Sequence, residues 1–238
     1  MKLALFGRGG MGRVVAQYAR SNGHEIGVVL AAQDARREAD ELAALLRGHD
    51  AAIDFSVADA VLANATACAR AGVPLVEGTT GWRDQEPMVR DAVEAGGGAL
   101  VFGANFSVGV NLYYRLVARA GELFAGFADY DAFIEEAHHA RKRDAPSGTA
   151  LRLRDILTHA LDRPVPVAST RAGYIPGTHR VGFDSAADQV TLEHVARSRD
   201  GFAAGALLAA RWVVGRQGVF AFDEVLDELL GPQGKREL

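Results

Sequence analysis

The chain alternates short, nearly unbroken apolar runs with longer stretches in which apolar residues return every three or four positions. Leu3 to Phe6, Glu25 to Leu30, Asp50 to Phe55, Val73 to Glu77 and Ala99 to Phe102 have the length and continuity of buried strands. Between them, Arg13 to Arg20, an Ala-rich run ending near Ala71, and about Gln85 to Ala95 carry helical spacing. Ser56 and Asp59 form a capping-box pattern that predicts the start of the second of these helices. Strand and helix alternating in this way predict a parallel, doubly wound sheet.

The pattern changes at Gly103-Ala104-Asn105-Phe106-Ser107-Val108-Gly109-Val110-Asn111. That turn feeds an amphipathic helix from roughly Leu112 to Phe127, followed by a strand from Asp131 to Glu136. Ser147 is a predicted cap for a helix whose body runs from Ala150 to Leu161. Strand-like runs then come without helices between them, at Val165 to Arg171, Arg180 to Asp184 and Gln189 to Arg197. Such a succession predicts a second domain built on an antiparallel or mixed sheet. Helical segments at Phe202 to Val214 and Phe222 to Leu230 close the chain and can return to cover the first domain. The expected class is α/β, an N-terminal Rossmann-type parallel sheet plus an α+β domain.

Composition narrows the picture only a little. With 49% hydrophobic residues, 24% charged residues and a net charge of -4 over 238 residues, this is ordinary globular protein. The basic excess that a nucleic-acid partner calls for is missing. No stretch approaches the roughly 20 apolar residues of a membrane helix, and the N-terminus is too short in apolar residues for a signal peptide. A cytoplasmic location, with no membrane partner, is the resulting expectation. The single Cys68 excludes an internal disulfide and a thiolate metal cluster and reads as a small buried hydrophobe.

Two stretches carry chemistry. The first is Gly7-Arg8-Gly9-Gly10-Met11-Gly12, which places the G-x-G-x-x-G spacing between the first strand and the first helix, the order that dinucleotide binding needs. At the end of the second strand, where a carboxylate would accept the ribose hydroxyls of NAD, stand Ala31 and Ala32. Asp34 follows late, with Arg36 and Arg37 behind it, so NADH and NADPH both stay open. Gly78-Thr79-Thr80-Gly81 sits at another strand's C-terminal end, where open parallel sheets bind ligands.

The second stretch runs from Glu136 through His138, His139, Arg141, Lys142, Arg143 and Ser147-Gly148-Thr149 to Ala150. Pro146 keeps its basic part out of helix. A helix start preceded by cations is a site for a small carboxylate or phosphate, because its first N–H groups lack partners. Imidazoles beside it can exchange a proton near neutral pH. His138 and His139 point to opposite faces if the pair is extended. A zinc site is a poor fit here, since no Cys or third His has ligand spacing and Lys142 would repel the ion. Ser147 lacks the G-x-S-x-G elbow of a nucleophile. His24, His49 and His159 read as ordinary packed or surface residues, His179 and His194 stay undecided, and Arg141 and Arg143 read as solvated or interfacial.

With these pieces in place, essentially the whole chain resembles the dihydrodipicolinate reductase family, the reductases of the diaminopimelate route to lysine. The resemblance rests on Glu136-Ala137-His138-His139 through Lys142 to Asp144-Ala145-Pro146-Ser147-Gly148-Thr149-Ala150. Gly78 to Gly81, Asn105 to Asn111, Arg171-Ala172-Gly173 with Gly177-Thr178-His179, and Phe202 to Ala206 support it in order. It implies reduction of a cyclic dicarboxylate, 4-hydroxytetrahydrodipicolinate, to tetrahydrodipicolinate with NADH or NADPH and loss of water. It also implies a homotetramer. The dinucleotide domain would be 1–107 completed by 200–238, and the substrate and assembly domain 108–199.

By matching position, His138 would be the catalytic proton donor and Lys142 its cationic partner. His139, Ser147, Gly148 and Thr149 would hold substrate, and no metal is implied. Gly7, Arg8, Gly9, Gly10, Met11, Gly12, Gly78, Thr79, Thr80, Gly103, Ala104, Asn105 and Phe106 would hold the cofactor. Two departures are visible: the first glycine loop is tighter than the family's G-x-x-G-x-M-G, and the acid at the end of the second strand is absent. The alternatives are another reductase of a small amino or keto acid, of aspartate dehydrogenase type, and a non-catalytic dinucleotide sensor.

Overall fold

The structure is a computed structural model that describes residues 1–231; residues 232–238, the end of the expected returning segment, lie outside the described residues. Two compact units are present, Met1–Val108 with the chain from Arg199 onward, and Gly109–Ser198.

The first unit is a parallel sheet in the order β10-β5-β4-β3-β1-β2. Its strands are β1 (Lys2–Phe6), β2 (Glu25–Leu30), β3 (Ala51–Asp54), β4 (Leu75–Glu77), β5 (Ala99–Phe102) and β10 (Gly218–Ala221). Its helices are α1 (Gly10–Ser21), α2 (Ala39–Leu46), α3 (Val61–Ala71), α4 (Glu86–Ala95), α7 (Asp200–Val213) and α8 (Phe222–Leu230). Both sheet faces are covered, which is why β1, β3, β4 and β5 are mostly apolar and do not alternate, with Asp54 and Glu77 as buried acidic residues at the ends of β3 and β4. Leu3, Leu5, Ile53, Val76 and Val101 pack with residues of α1, α7 and α8. Ala4, Phe6, Ala52, Leu75 and Leu100 pack with residues of α2, α3 and α4 on the other side.

The second unit has a mixed sheet in the order β7-β6-β8-β9. β6 (Asp131–His138) runs parallel to β7 (Val167–Arg171) and antiparallel to β8 (Thr178–Asp184), which pairs antiparallel with β9 (Gln189–Val195). α5 (Val108–Phe124) and α6 (Gly148–Leu161) supply Tyr113, Val117, Leu153 and Leu157 to a core with Ile134, Val181 and Phe183. Along β6, Ala132, Ile134 and Glu136 are buried while Asp131 and Glu135 are exposed. The core face of this strand therefore turns from apolar to charged at its C-terminal end, with side chains two apart sharing that face.

The expected α/β class and its two sheets are present, but several boundaries move. Ser56 does not cap α3: its N–H goes to the Asp54 carboxylate at 2.7 Å, and a 3-10 turn at Ala58–Ala60 precedes the helix. α5 begins at Val108, ahead of Leu112, and stops at Phe124, short of Phe127. β6 runs on to His138 because both neighbours continue to pair, Arg171 with His138 and Thr178 with Ala137. α2 and β10 have no counterpart in the sequence expectations. Among the described residues no helix is long and apolar enough to cross a membrane.

Candidate active site

In the second unit, one rung of the sheet brings together Ser169, Glu136, His179 and His194 in register. Glu136 is 3% exposed. Arg171 grips its carboxylate with two N–H groups, Nη2 to Oε1 at 2.7 Å and Nη1 to Oε2 at 2.9 Å. The Ser147 backbone N–H donates to Oε1 at 3.2 Å. Burial alone would raise this carboxyl's pKa, but hydrogen bonds from Arg171, Ser169 and His138 outweigh it and hold the value at about 2. Glu136 is therefore an anion at neutral pH.

That charge settles the tautomer of His138. Its Nδ1 lies 2.5 Å from Glu136 Oε2, and an ionised carboxylate only accepts, so Nδ1 carries hydrogen and Nε2 is the exchanging atom. A side chain at residue 177 would place its Cβ only 3.1 Å from that Nε2, so Gly177, at φ +138°, leaves the ring its space. Burial first, then the positive charges of Lys142 and Arg171, lower the His138 pKa, while Glu136 opposes them. His179 meets His138 edge-on, with ring centroids 5.1 Å apart, and bonds Ser147 Oγ through Nε2 at 3.0 Å. Burial, helped by the charge of His138, brings its pKa down to about 4, so it is neutral at pH 7.

Ser147 caps α6 as predicted, accepting the Ala150 N–H at 3.2 Å. Its hydroxyl is thus engaged on two sides, whereas Gly148 is exposed and Thr149 half-buried at the helix start. Lys142 Nζ pairs with Asp144 Oδ2 at 2.9 Å, and the Lys142 N–H closes a turn on the His139 carbonyl. His139, one residue beyond the end of β6, has its Nδ1 buried without a partner among the described residues. His138, Lys142 and Ser147 are brought to one network, while His139 takes another environment.

Spacing in the sequence showed no third ligand for a metal, yet β8 brings His179 into reach, and donor atoms of Glu136, His138 and His179 lie within 4.8 Å of one another. The donor set still does not suit a cation. Arg171 covers both carboxylate oxygens, and Lys142 adds a second positive charge nearby.

Sequence reasoning assigned no role to Glu136 or Arg171. The pattern Glu-x-His on a strand was a usable signal, since residues two apart share a face. Arg171 comes from a strand distant in sequence and gave no local sign.

In the first unit, Met11, Phe55, Ser56, Val57, Ala58, Gly78, Thr79 and Thr80 line a cleft of about 340 Å³. Gly7 (φ +101°) and Gly12 are required by space: a Cβ on Gly12 would stand 2.0 Å from the Gly7 carbonyl oxygen. Around Gly9 the space is open, and no side chain caps α1 there. An uncapped helix start with bare backbone above it fits a pyrophosphate, so the residues fit a dinucleotide. Arg8 donates from Nη2 to the Val29 carbonyl at 2.9 Å. Asp34 is committed to the turn after β2, accepting from Ala31 N–H at 2.8 Å and Arg37 Nε at 3.1 Å. Gly103 donates to the Glu77 carbonyl, Ala104 is exposed, and Asn105 Oδ1 accepts from Ser107 N–H. Phe106 is 1% exposed and packs on Phe55 and Phe222, so it supports this loop from below.

Comparison with known proteins covers both units. A family profile described as "Dihydrodipicolinate reductase, N-terminus" matches residues 1–106, and "Dihydrodipicolinate reductase, C-terminus" matches residues 109–226. The chain is similar to a 4-hydroxy-tetrahydrodipicolinate reductase of Christiangramia forsetii, 34% identical over 96% of this chain and 99% of the relative. A Methanosarcina barkeri protein of the same name is 39% identical over 74% of this chain and 73% of its own length. Among solved structures, a dipicolinate-bound dihydrodipicolinate reductase from Paenisporosarcina sp. TG-14 superposes with a TM-score of 0.76 at 21% identity. That superposition covers 93% of this chain and 97% of the other.

Proposed function

The chain belongs to the dihydrodipicolinate reductase family, and on that premise we propose how its own residues carry out the reaction. It is an NAD(P)H-dependent oxidoreductase that reduces 4-hydroxytetrahydrodipicolinate to tetrahydrodipicolinate, with loss of water, in lysine biosynthesis through diaminopimelate. His138 is the catalytic proton donor, and the observation that carries this assignment is the Glu136 carboxylate on its Nδ1.

Reduced nicotinamide, when bound, supplies the hydride. Gly7 to Gly12, Gly78 to Thr80 and Gly103 to Asn105 hold the cofactor, with Phe106 beneath them. Asp34 is occupied by Ala31 and Arg37, while Arg8 and Arg36 are exposed, which supports acceptance of NADPH as well as NADH. The unit bearing the parallel sheet, 1–107 with 200–238, serves the cofactor, and 108–199 serves substrate and assembly.

Gly148 and Thr149, with free helix-start geometry, take one substrate carboxylate. Lys142 exchanges its Asp144 partner for substrate charge, and His139 completes the pocket. Ser147 holds the helix start and His179 in place. Before substrate binds, His138 has a pKa lowered by burial and is mostly neutral at pH 7. A bound dianion adds negative charge beside it and raises that pKa, so the substrate itself brings the acid into its charged form. Glu136 then stabilises the imidazolium, and Nε2 delivers the proton to the reduced ring.

The test is turnover of the cyclic substrate followed by nicotinamide absorbance, with NADH and NADPH compared. His138→Gln should cut kcat by roughly 10²- to 10⁴-fold with a much smaller rise in KM, because the proton is transferred in the transition state while the imidazolium charge also meets the bound dianion. Wild-type activity should fall as pH rises through the His138 pKa, and that pKa should lie higher in kcat than in kcat/KM. Unchanged kcat in the variant, or turnover of oxaloacetate and ammonia in place of the cyclic substrate, would remove the assignment. We also propose a cytoplasmic location, and a homotetramer supported by exposed Leu116, Leu123, Phe127, Val190 and Val195 on the second unit and read by light scattering.

A further inference from the structure

β3 and β4 end side by side, with Asp54 opposite Glu77 in the register. Both residues are fully buried, and neither forms an ion pair with a cation among the described residues. Asp54 Oδ1 accepts the Ser56 N–H at 2.7 Å, and Oδ2 accepts Asn64 Nδ2 at 2.7 Å. Glu77 Oε1 accepts the Thr79 N–H at 2.7 Å. The Thr79 hydroxyl accepts the Ser56 N–H at 3.1 Å and donates to Asp54 Oδ1 at 3.4 Å, tying the loop after β4 to the end of β3. Glu77 Oε2 is buried with no hydrogen-bond partner among the described residues, which a proton shared with Asp54 would satisfy.

We propose that Asp54 and Glu77 share one proton and are positioning residues for the cofactor cleft, fixing the Ser56 and Thr79 backbones that line it. Parallel neighbours lie only about 4.8 Å apart, and two carboxylates buried side by side on such strands cannot both ionise. Burial and the Asp54 charge push the Glu77 pKa well above the usual carboxylate range, so the proton resides on Glu77. The pair then offers every acceptor that Ser56, Asn64 and Thr79 need. It also places one negative charge, in place of two, beneath a cleft meant for a polyanion.

The proposal rests on reading this cleft as the cofactor's, and three variants separate the two. Binding is measured as NADPH fluorescence, alongside kinetics and thermal unfolding. Glu77→Met removes acceptor and donor, and should weaken NADPH binding by roughly tenfold while kcat at saturating cofactor stays within about threefold. Glu77→Gln keeps an N–H for Asp54 and a carbonyl for Thr79, and should restore binding to within about twofold of wild type. Wild-type affinity in Glu77→Met, or equal loss in both variants, overturns the proposal. Should Glu77→Met fail to fold, Glu77→Gln decides alone: tenfold weaker binding overturns it and wild-type binding sustains it. Gly12→Ala, which forces a Cβ onto the Gly7 carbonyl, should abolish NADPH binding; if it binds normally, the cleft assignment falls whatever Glu77 does.

Discussion

Glu77 and Glu136 are the same residue type, both buried near the C-terminal end of a strand, yet they hold opposite charge states. Glu77 faces Asp54 and is pushed well above its ordinary pKa; Glu136 faces Arg171 and is held at about 2. Burial acts on both in the same direction and makes any charge costly. The sign of the neighbour decides the outcome: a carboxylate keeps Glu77 protonated, and a two-pronged guanidinium keeps Glu136 ionised. Each state serves its surroundings. An ionised Glu136 fixes hydrogen on His138 Nδ1, and a neutral Glu77 keeps negative charge away from an anion cleft.

The comparison breaks most visibly at Arg171. Arg171→Leu leaves Glu136 in the position of Glu77 without a carboxylate partner, and should cost about 3–5 kcal/mol of unfolding free energy. The Glu136 pKa should rise, His138 should lose its fixed acceptor, and kcat should fall with stability. Urea unfolding within about 1 kcal/mol of wild type would show that the pair is not what charges Glu136.

Acid should reveal the same network next. His179 has a folded pKa of about 4 against an ordinary 6.5, so the unfolded chain binds more protons between those values. Its contribution is complete above pH 6.5 and is lost as pH falls to 4, roughly 3 kcal/mol for a shift of this size. Glu136, lowered from 4.5 to about 2, adds its own loss only below pH 4.5. His179→Gln should flatten the dependence between pH 6.5 and 4 and leave the lower limb. An unaltered slope in that variant would move the effect to other histidines, His138 and His194 among them.

The parallel sheet was legible because both its faces are covered, so Leu3–Phe6 of β1, Ala51–Ile53 of β3 and Ala99–Phe102 of β5 are continuous apolar runs. The Gly7 to Gly12 turn was legible because glycine there is a steric requirement that spacing records. α6 was legible from Ser147 and Pro146, which are local signals. What sequence could not show depends on registry between distant strands. Arg171 reaches Glu136, and His179 reaches His138 and Ser147, only once β7 and β8 pair with β6. Ser56 was misread as a cap because the Asp54 carboxylate two residues earlier takes its N–H. β10, four residues with two of them Gly or Ala, is a strand because β5 offers it an edge.

The smallest effect is the sharpest test of the comparison, because one substitution is applied to both glutamates. Glutamine keeps the shape of glutamate, offers one acceptor and one donor, and carries no charge. At Glu77 those are the groups already in use, so Glu77→Gln should shift the unfolding free energy at pH 7 by no more than about 0.5 kcal/mol. At Glu136 the amide replaces a charge that receives hydrogen bonds from Arg171, His138 and Ser147, and Glu136→Gln should cost about 1.5–3 kcal/mol. The amide also presents its N–H groups to donors, so His138 must change tautomer or lose its bond, and kcat should drop with stability. Equal costs at the two positions would mean that their charge states do not differ. A gain in stability at Glu77, where the amide would relieve repulsion with Asp54, would mean that both carboxyls of the pair are ionised, and that the cleft tolerates the second charge.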